Sequence, residues 1–190
     1  MAYLLDTDLL DNQNYIPISV DYDKSAILKI LENIPKTELV TSCDNNTIAK
    51  ISMILDSKLP IHTILYFCMK PSVCSIIHID KNSKNPKAFQ ATGGLNLPLA
   101  NSEPVLMRWY SKNNSDTDLE TFVGPNGSST PSIAEHKVTC IDKVYYANPL
   151  IVKINDWHSV ENQSATDVAQ FISLRFVAPI EQVIKAFGEK

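Results

Sequence analysis

The stretch "VCSIIHIDKN", residues 73–82, is an apolar run that closes on His78 and Asp80. Val and Ile at this density fit a β-strand. In a strand, residues i and i+2 share a face, so His78 and Asp80 project together, opposite Ile77 and Ile79. Two readings compete for the pair. It is either the polar end of a strand entering a turn, or two ligands of a metal site that draws its third ligand from elsewhere in the chain.

Outward from this stretch, the chain from about residue 61 breaks into short β-rich runs separated by polar turn residues. They are "HTILYFCM" (62–69), "SVCSIIHID" (72–80), "GGLNLPL" (93–99), "PVLMRWYS" (104–111), "HKVTCIDKVYYA" (136–147), "PLIVKI" (149–154), "WHSV" (157–160) and "AQFISLRFVA" (169–178). Eight such runs predict an all-β barrel or a two-sheet sandwich. The polar stretch 111–135 is expected to be a loop, either a lid or a tolerated insertion.

The first sixty residues read differently. "YIPISVDYD" (15–23) and "TELVTSC" (37–43) are strand-like. "DKSAILKILENIPK" (23–36) has Ile27, Leu28, Ile30, Leu31 and Ile34 at helical spacing, with Asp23 placed to cap it and Pro35 to end it. "DNNTIAKISMILDSK" (44–58) predicts a second helix, capped by Asn45 or Asn46, and a third is expected after Pro179. The expectation is one domain over 1–190, with a barrel core at about 60–178 and a bracing α/β segment at about 1–59.

Composition narrows the classes. With 190 residues, 44% hydrophobic and 20% charged, the chain can bury a sizeable core. A formal net charge of -4 gives no global basic field, which disfavours a nucleic-acid or anionic-lipid partner. No apolar stretch approaches the ~18 residues of a membrane span, and "MAYLLDTDLLDNQ" (1–13) lacks the basic start of a signal peptide. Cys43, Cys68, Cys74 and Cys140 form no CxxC pair and read as buried free thiols, so a cytoplasmic location is expected.

The third ligand is found in "NDWHSVENQSATDVAQFISLRF" (155–176), where His158 lies 80 positions after His78. Two imidazoles and one carboxylate on a β scaffold make a facial triad. It leaves adjacent positions open on Fe(II), although Zn, Mn, Co and Ni would also bind such a donor set. In "FISLRF", alternation puts Ile172, Leu174 and Phe176 on one face and Phe171, Ser173 and Arg175 on the other. A buried guanidinium must be paired, and its fork matches a carboxylate, with a neighbouring hydroxyl adding a hydrogen bond.

In order and spacing, "HID", "LNLPL", "RWYS", "WHSVEN" and "ISLRF" resemble the double-stranded β-helix core of the Fe(II)/2-oxoglutarate-dependent oxygenases. The likeness is to small bacterial and phage members and, more distantly, to the aspartyl/asparaginyl β-hydroxylase branch. It implies a mostly β, jelly-roll, cupin-like barrel with flanking helices. It also implies iron on His78, Asp80 and His158, and the distal carboxylate of 2-oxoglutarate on Arg175 with help from Ser173. Asn96 and Trp109 or Tyr110 would line the cavity, and Arg108 is an outside candidate for a substrate anion. The implied chemistry couples O2 and oxidative decarboxylation of the keto acid, giving succinate and CO2, to oxidation of an unactivated C–H bond. The substrate would be a small molecule or a peptide, and the oligomeric state is not legible.

Two departures from the family pattern are visible. Many relatives carry a basic residue just before the strand "GGLNLPL", where this chain has "FQAT" (89–92). Many relatives place the anion-binding arginine nearer the distal histidine, whereas here "SATDVAQ" intervenes and Arg175 lies 17 positions after His158. Two alternatives therefore stay open: a cupin-like metalloprotein of other chemistry, such as a hydrolase or isomerase, and a non-catalytic barrel that only binds. His62 and His136 have no partner pattern and read as ordinary histidines. "GPNGSS" (124–129) lacks the lysine and the strand-to-helix context of a phosphate loop.

Overall fold

The computed structural model describes residues 13–35, 39–80, 93–114, 118–123 and 129–188. The start at 1–12, most of "GPNGSS" and the "FQAT" preceding Gly93 lie outside the described residues.

Among the described residues, twelve strands and three α-helices follow one another as β1 (Tyr15–Pro17), α1 (Lys24–Leu31), β2 (Val40–Ser42), α2 (Asn45–Ile54), β3 (Ile61–Met69), β4 (Ile77–His78), β5 (Gly93–Ala100), β6 (Val105–Lys112), β7 (Glu120–Val123), β8 (Ser129–Ile133), β9 (Val138–Tyr145), β10 (Leu150–Lys153), β11 (His158–Asn162), β12 (Ala169–Phe176) and α3 (Ile180–Gly188). All eight β-rich runs of the sequence become strands: β3 to β6 and β9 to β12. They divide between two six-stranded sheets, ordered β1-β10-β5-β12-β3-β2 and β7-β8-β4-β11-β6-β9. All strand pairs are antiparallel. Along the chain the eight change sheet at every step except β6 to β9, which pair with each other, and this is a jelly roll of two facing sheets.

Each layer has its own apolar reason to form. Ile172, Leu174 and Phe176 face the helices, in a cluster with Ile27, Leu31, Ile51, Val183 and Ile184. Phe171 points the other way, into the space between the sheets, with Met107, Trp109, Tyr146, Val152 and Val160. Each such side chain stabilises the fold by roughly 1.5–3 kcal/mol on burial. A smaller cluster of Ile77, Tyr110, Ile133, Val138 and Trp157 covers the outer face of the second sheet. So the alternation read in "FISLRF" separates the helix-covered face from the inter-sheet face, and Ser173 and Arg175 are on the inter-sheet side.

Four local expectations are corrected. The cap of α2 is Asp44, not Asn45 or Asn46; its carboxylate accepts from the Thr47 N–H at 2.7 Å. The cap of α1 is Asp23 as expected, but the helix ends at Leu31, before Pro35. The stretch 111–135 is not simply a loop, because β7 and β8 pair within it and β8 extends the second sheet beside β4. All four β7 residues are exposed, so the strand carries no alternating apolar signature. None of the four cysteines is in a disulfide; Cys43 and Cys68 are buried as expected, whereas Cys74 and Cys140 are exposed, which corrects the expectation for those two. Among the described residues, no helix is long and apolar enough to cross a membrane.

Candidate metal centre

His78 ends β4 and His158 begins β11, and the two are direct partners in the antiparallel register. A single row of cross-strand partners runs through them: Glu120, Ser132, His78, His158, Trp109 and Asp142. Partners in such a row project to one face, here the face toward the other sheet. Asp80 lies two residues beyond His78, where its N–H donates to the Ile154 carbonyl at 3.0 Å. The three ligand atoms of His78, Asp80 and His158 all lie within 4.8 Å of one another.

The tautomers are set by backbone. His78 Nδ1 lies 2.8 Å from the Ile76 carbonyl, and His158 Nδ1 lies 2.9 Å from the Asp156 carbonyl. A carbonyl only accepts, so Nδ1 carries the proton in each ring. In a neutral ring Nε2 then presents a lone pair. His78 Nε2 stands 3.2 Å and His158 Nε2 3.9 Å from Asp80 Oδ1. Three acceptors facing one point repel unless a cation, either a proton or a metal, lies among them. Bonds of ~2.0–2.2 Å at right angles would separate such donors by roughly 3 Å, so the set fits a divalent ion with small closing movements.

Charge follows the same geometry. Burial alone would raise the Asp80 carboxyl, but the Arg175 guanidinium and the two imidazoles hold it far below the usual carboxylate range. Burial, and then the neighbouring His78, push His158 down to about 4. Burial also works to lower His78, but the hydrogen bond and charge of Asp80 outweigh it, and the net shift is upward.

Arg175 is close at hand. Its NH2 donates to Asp80 Oδ2 at 2.7 Å, and its NH1 donates to Ser173 Oγ at 2.6 Å. The Ser173 hydroxyl donates to Asn96 Oδ1. Asn96 Nδ2 donates to the Tyr146 hydroxyl at 2.6 Å, which donates to Met107 Sδ at 3.1 Å. From Arg175 NH1 onward, every donor in this buried chain points away from Asp80. Tyr146 was not found from sequence; in "KVYYA" nothing separates it from its exposed neighbour Tyr145. Gly94 was also missed, although a glycine inside a strand signals a close approach. It is the register partner of Arg175, and a Cβ there would overlap NH1.

The substrate-side candidates separate. Trp109 shares the ligand face but is fully buried; its Nε1 donates to the Lys153 carbonyl at 3.0 Å, and Tyr15 stacks on it at 5.7 Å. Tyr110 and Arg108 lie on the opposite face, a correction to their assignment as cavity residues. The Tyr110 hydroxyl meets Ser159 Oγ at 2.9 Å within the outer cluster. Arg108 pairs with Glu161 at 2.6 Å. The side-chain alternation of β6 separates Trp109 from Arg108, and a register irregularity follows Trp109.

No protein-family model matches this sequence, and no curated protein matches it. Solved structures do. The non-heme alpha-ketoglutarate-dependent carbocyclase SnoK from nogalamycin biosynthesis aligns over 91% of this chain and 84% of its own, with a TM-score of 0.51 at 12% identity. A prolyl-4-hydroxylase from Pseudomonas putida aligns over 89% of this chain and 95% of its own, with a TM-score of 0.45 at 7% identity. At 12% identity, the likeness to the carbocyclase is one of fold.

Proposed function

We propose that this chain is an Fe(II)- and 2-oxoglutarate-dependent oxygenase that hydroxylates a small-molecule or peptide substrate, releasing succinate and CO2. The observation that carries this reading is the convergence of three acceptor atoms within 4.8 Å, with both imidazoles turned by backbone carbonyls to offer Nε2. His78, Asp80 and His158 would hold the metal on one side and leave the other side to co-substrate and oxygen. When bound, iron and 2-oxoglutarate supply the oxidising equivalent for C–H cleavage. The chain's own residues orient the ligands, and the buried Trp109 under Tyr15 closes one wall against water. Arg175, beside Ser173, would supply the cation for an organic carboxylate.

One observation favours a second reading. Arg175 already gives one N–H of NH1 to Ser173 and one of NH2 to Asp80, so two of its five N–H groups are engaged before any co-substrate arrives. A jelly-roll metalloprotein that uses the same triad with Zn or Mn for hydrolysis or isomerisation needs no free fork. The two readings part in one measurement. 2-Oxoglutarate titrated anaerobically into Fe(II)-loaded protein is expected to bind saturably, and admission of air is expected to yield succinate. Metal-loaded protein that binds no 2-oxoglutarate would remove the oxygenase reading.

A further inference from the structure

We infer that Arg175 is a positioning residue of the metal centre, which divides the Asp80 carboxylate into one oxygen for the metal and one for itself. The inference rests on His78, Asp80 and His158 being metal ligands, and it goes beyond the role of an anion anchor.

The two Asp80 oxygens have different surroundings. Oδ1 faces both imidazoles, and Oδ2 accepts from Arg175 NH2 at 2.7 Å. A carboxylate with both oxygens free can bind a metal through one or through both. Here the guanidinium occupies the second oxygen and fixes the rotation of the group, so that Oδ1 alone is presented.

Arg175 is itself held on several sides. It lies on β12, which pairs with β3 on one edge and β5 on the other. Gly94 on β5 leaves the space that NH1 fills. Ser173 spends its own proton on Asn96, which turns an oxygen lone pair toward NH1. The side chain is 9% exposed, so the guanidinium cannot exchange these partners for water at little cost. One N–H on each terminal nitrogen is thus already committed, and the one on NH2 goes to Asp80.

The sign of a measurable effect separates positioning from charge. A guanidinium beside a cation site repels the cation, so by charge alone its removal would tighten metal binding. By positioning, its removal frees Oδ2 and the rotation of Asp80, and binding weakens.

The test is titration of the metal-free full chain with Co(II), followed by calorimetry and visible absorption. The unmodified protein is expected to bind one Co(II). Arg175→Gln is expected to weaken binding by roughly 10–100-fold, the usual effect of losing a partner behind a ligand, and to change the Co(II) spectrum as Asp80 coordination changes. Arg175→Lys keeps the charge but not the planar fork, and it should restore affinity only in part. Ser173→Ala leaves the guanidinium in place without its NH1 acceptor; a few-fold loss is expected, and this variant carries the test should Arg175→Gln fail to fold. Unchanged or tighter Co(II) binding in folded Arg175→Gln overturns the inference, and weakened 2-oxoglutarate binding in that variant would assign Arg175 to the co-substrate instead. If the unmodified protein binds no Co(II), the ligand assignment itself falls, which is a different result.

Discussion

His78 and His158 are direct partners across β4 and β11, with ring centroids 4.5 Å apart and planes tilted by 49°. Strand pairing alone brings two residues 80 positions apart in sequence into one site. His78→Ala is therefore expected to abolish metal retention while leaving the fold. His78 is partly exposed, and little packing is lost with its ring. Metal content per chain after gentle purification, beside a thermal melt, checks both halves of the statement. Full metal content in the variant would remove His78 from the site.

Metal affinity is expected to fall with acidity. The ligands must be neutral imidazoles and a carboxylate, so protons compete with the ion, and binding releases them. The raised His78 is the first of the three to take up a proton as pH falls. Co(II) titrations at pH 8 and pH 6 in two buffers of different ionisation enthalpy would measure both the affinity loss and the proton release.

The metal-free protein should also lose stability in acid. His158 sits near 4 in the folded state, against about 6.5 in an unfolded chain. Between these values the unfolded chain binds a proton that the folded chain refuses. Stability is therefore full above 6.5 and declines toward 4, by up to about 3 kcal/mol for an isolated group. His78 acts in the opposite sense: its raised value adds stability below 6.5 that is lost as pH rises through its folded pKa. The net slope is smaller than His158 alone would give. Urea midpoints at pH 7.5 and pH 5 measure it, and no loss on acidification would contradict a neutral buried His158.

Gly93 and Gly94 should respond differently to alanine. A Cβ at 94 meets the Arg175 guanidinium, whereas a Cβ at 93 meets the Ile180 side chain. Both changes overpack the interior, at roughly 1–3 kcal/mol. Only Gly94→Ala is expected to weaken Co(II) binding as well, because it displaces the group that holds Asp80. Equal Co(II) affinity in the two variants would break that link.

Tyr146→Phe removes the acceptor for Asn96 Nδ2 and the donor to Met107. A buried donor left without a partner costs about 1–3 kcal/mol, readable as a lower urea midpoint. Arg108→Ala is the contrast. Its pair with Glu161 is partly exposed on the far face, so a change below about 1 kcal/mol and unaltered metal binding are expected.

The fold was largely legible along the chain, because burial imposes period two on strands and a longer period on helices. The eight runs and the capping Asp23 express that constraint directly. Strand β7 escaped because it is exposed throughout, and an exposed strand has no apolar face to reveal it. At the site, His78, Asp80 and His158 were recognisable as residue types suited to one ion. Tyr146 and Gly94 were not, since hydrogen bonding across strands and the space beside a guanidinium exist only after pairing.

Sequence by itself determined, through alternation, which groups could meet: Ser173 with Arg175 along β12, and His78 with Asp80, although β4 ends at His78 and Asp80 lies two residues beyond the strand. Only the tertiary structure decided which of them do meet, and it joined Arg175 to Asp80. The reason is that alternation is a local property of the backbone, while contact between faces depends on register across strands distant in the chain. Tyr110 and Arg108 show the same division. Their places in β6 were readable, but only pairing with β11 and β9 showed that they lie on the face opposite His158.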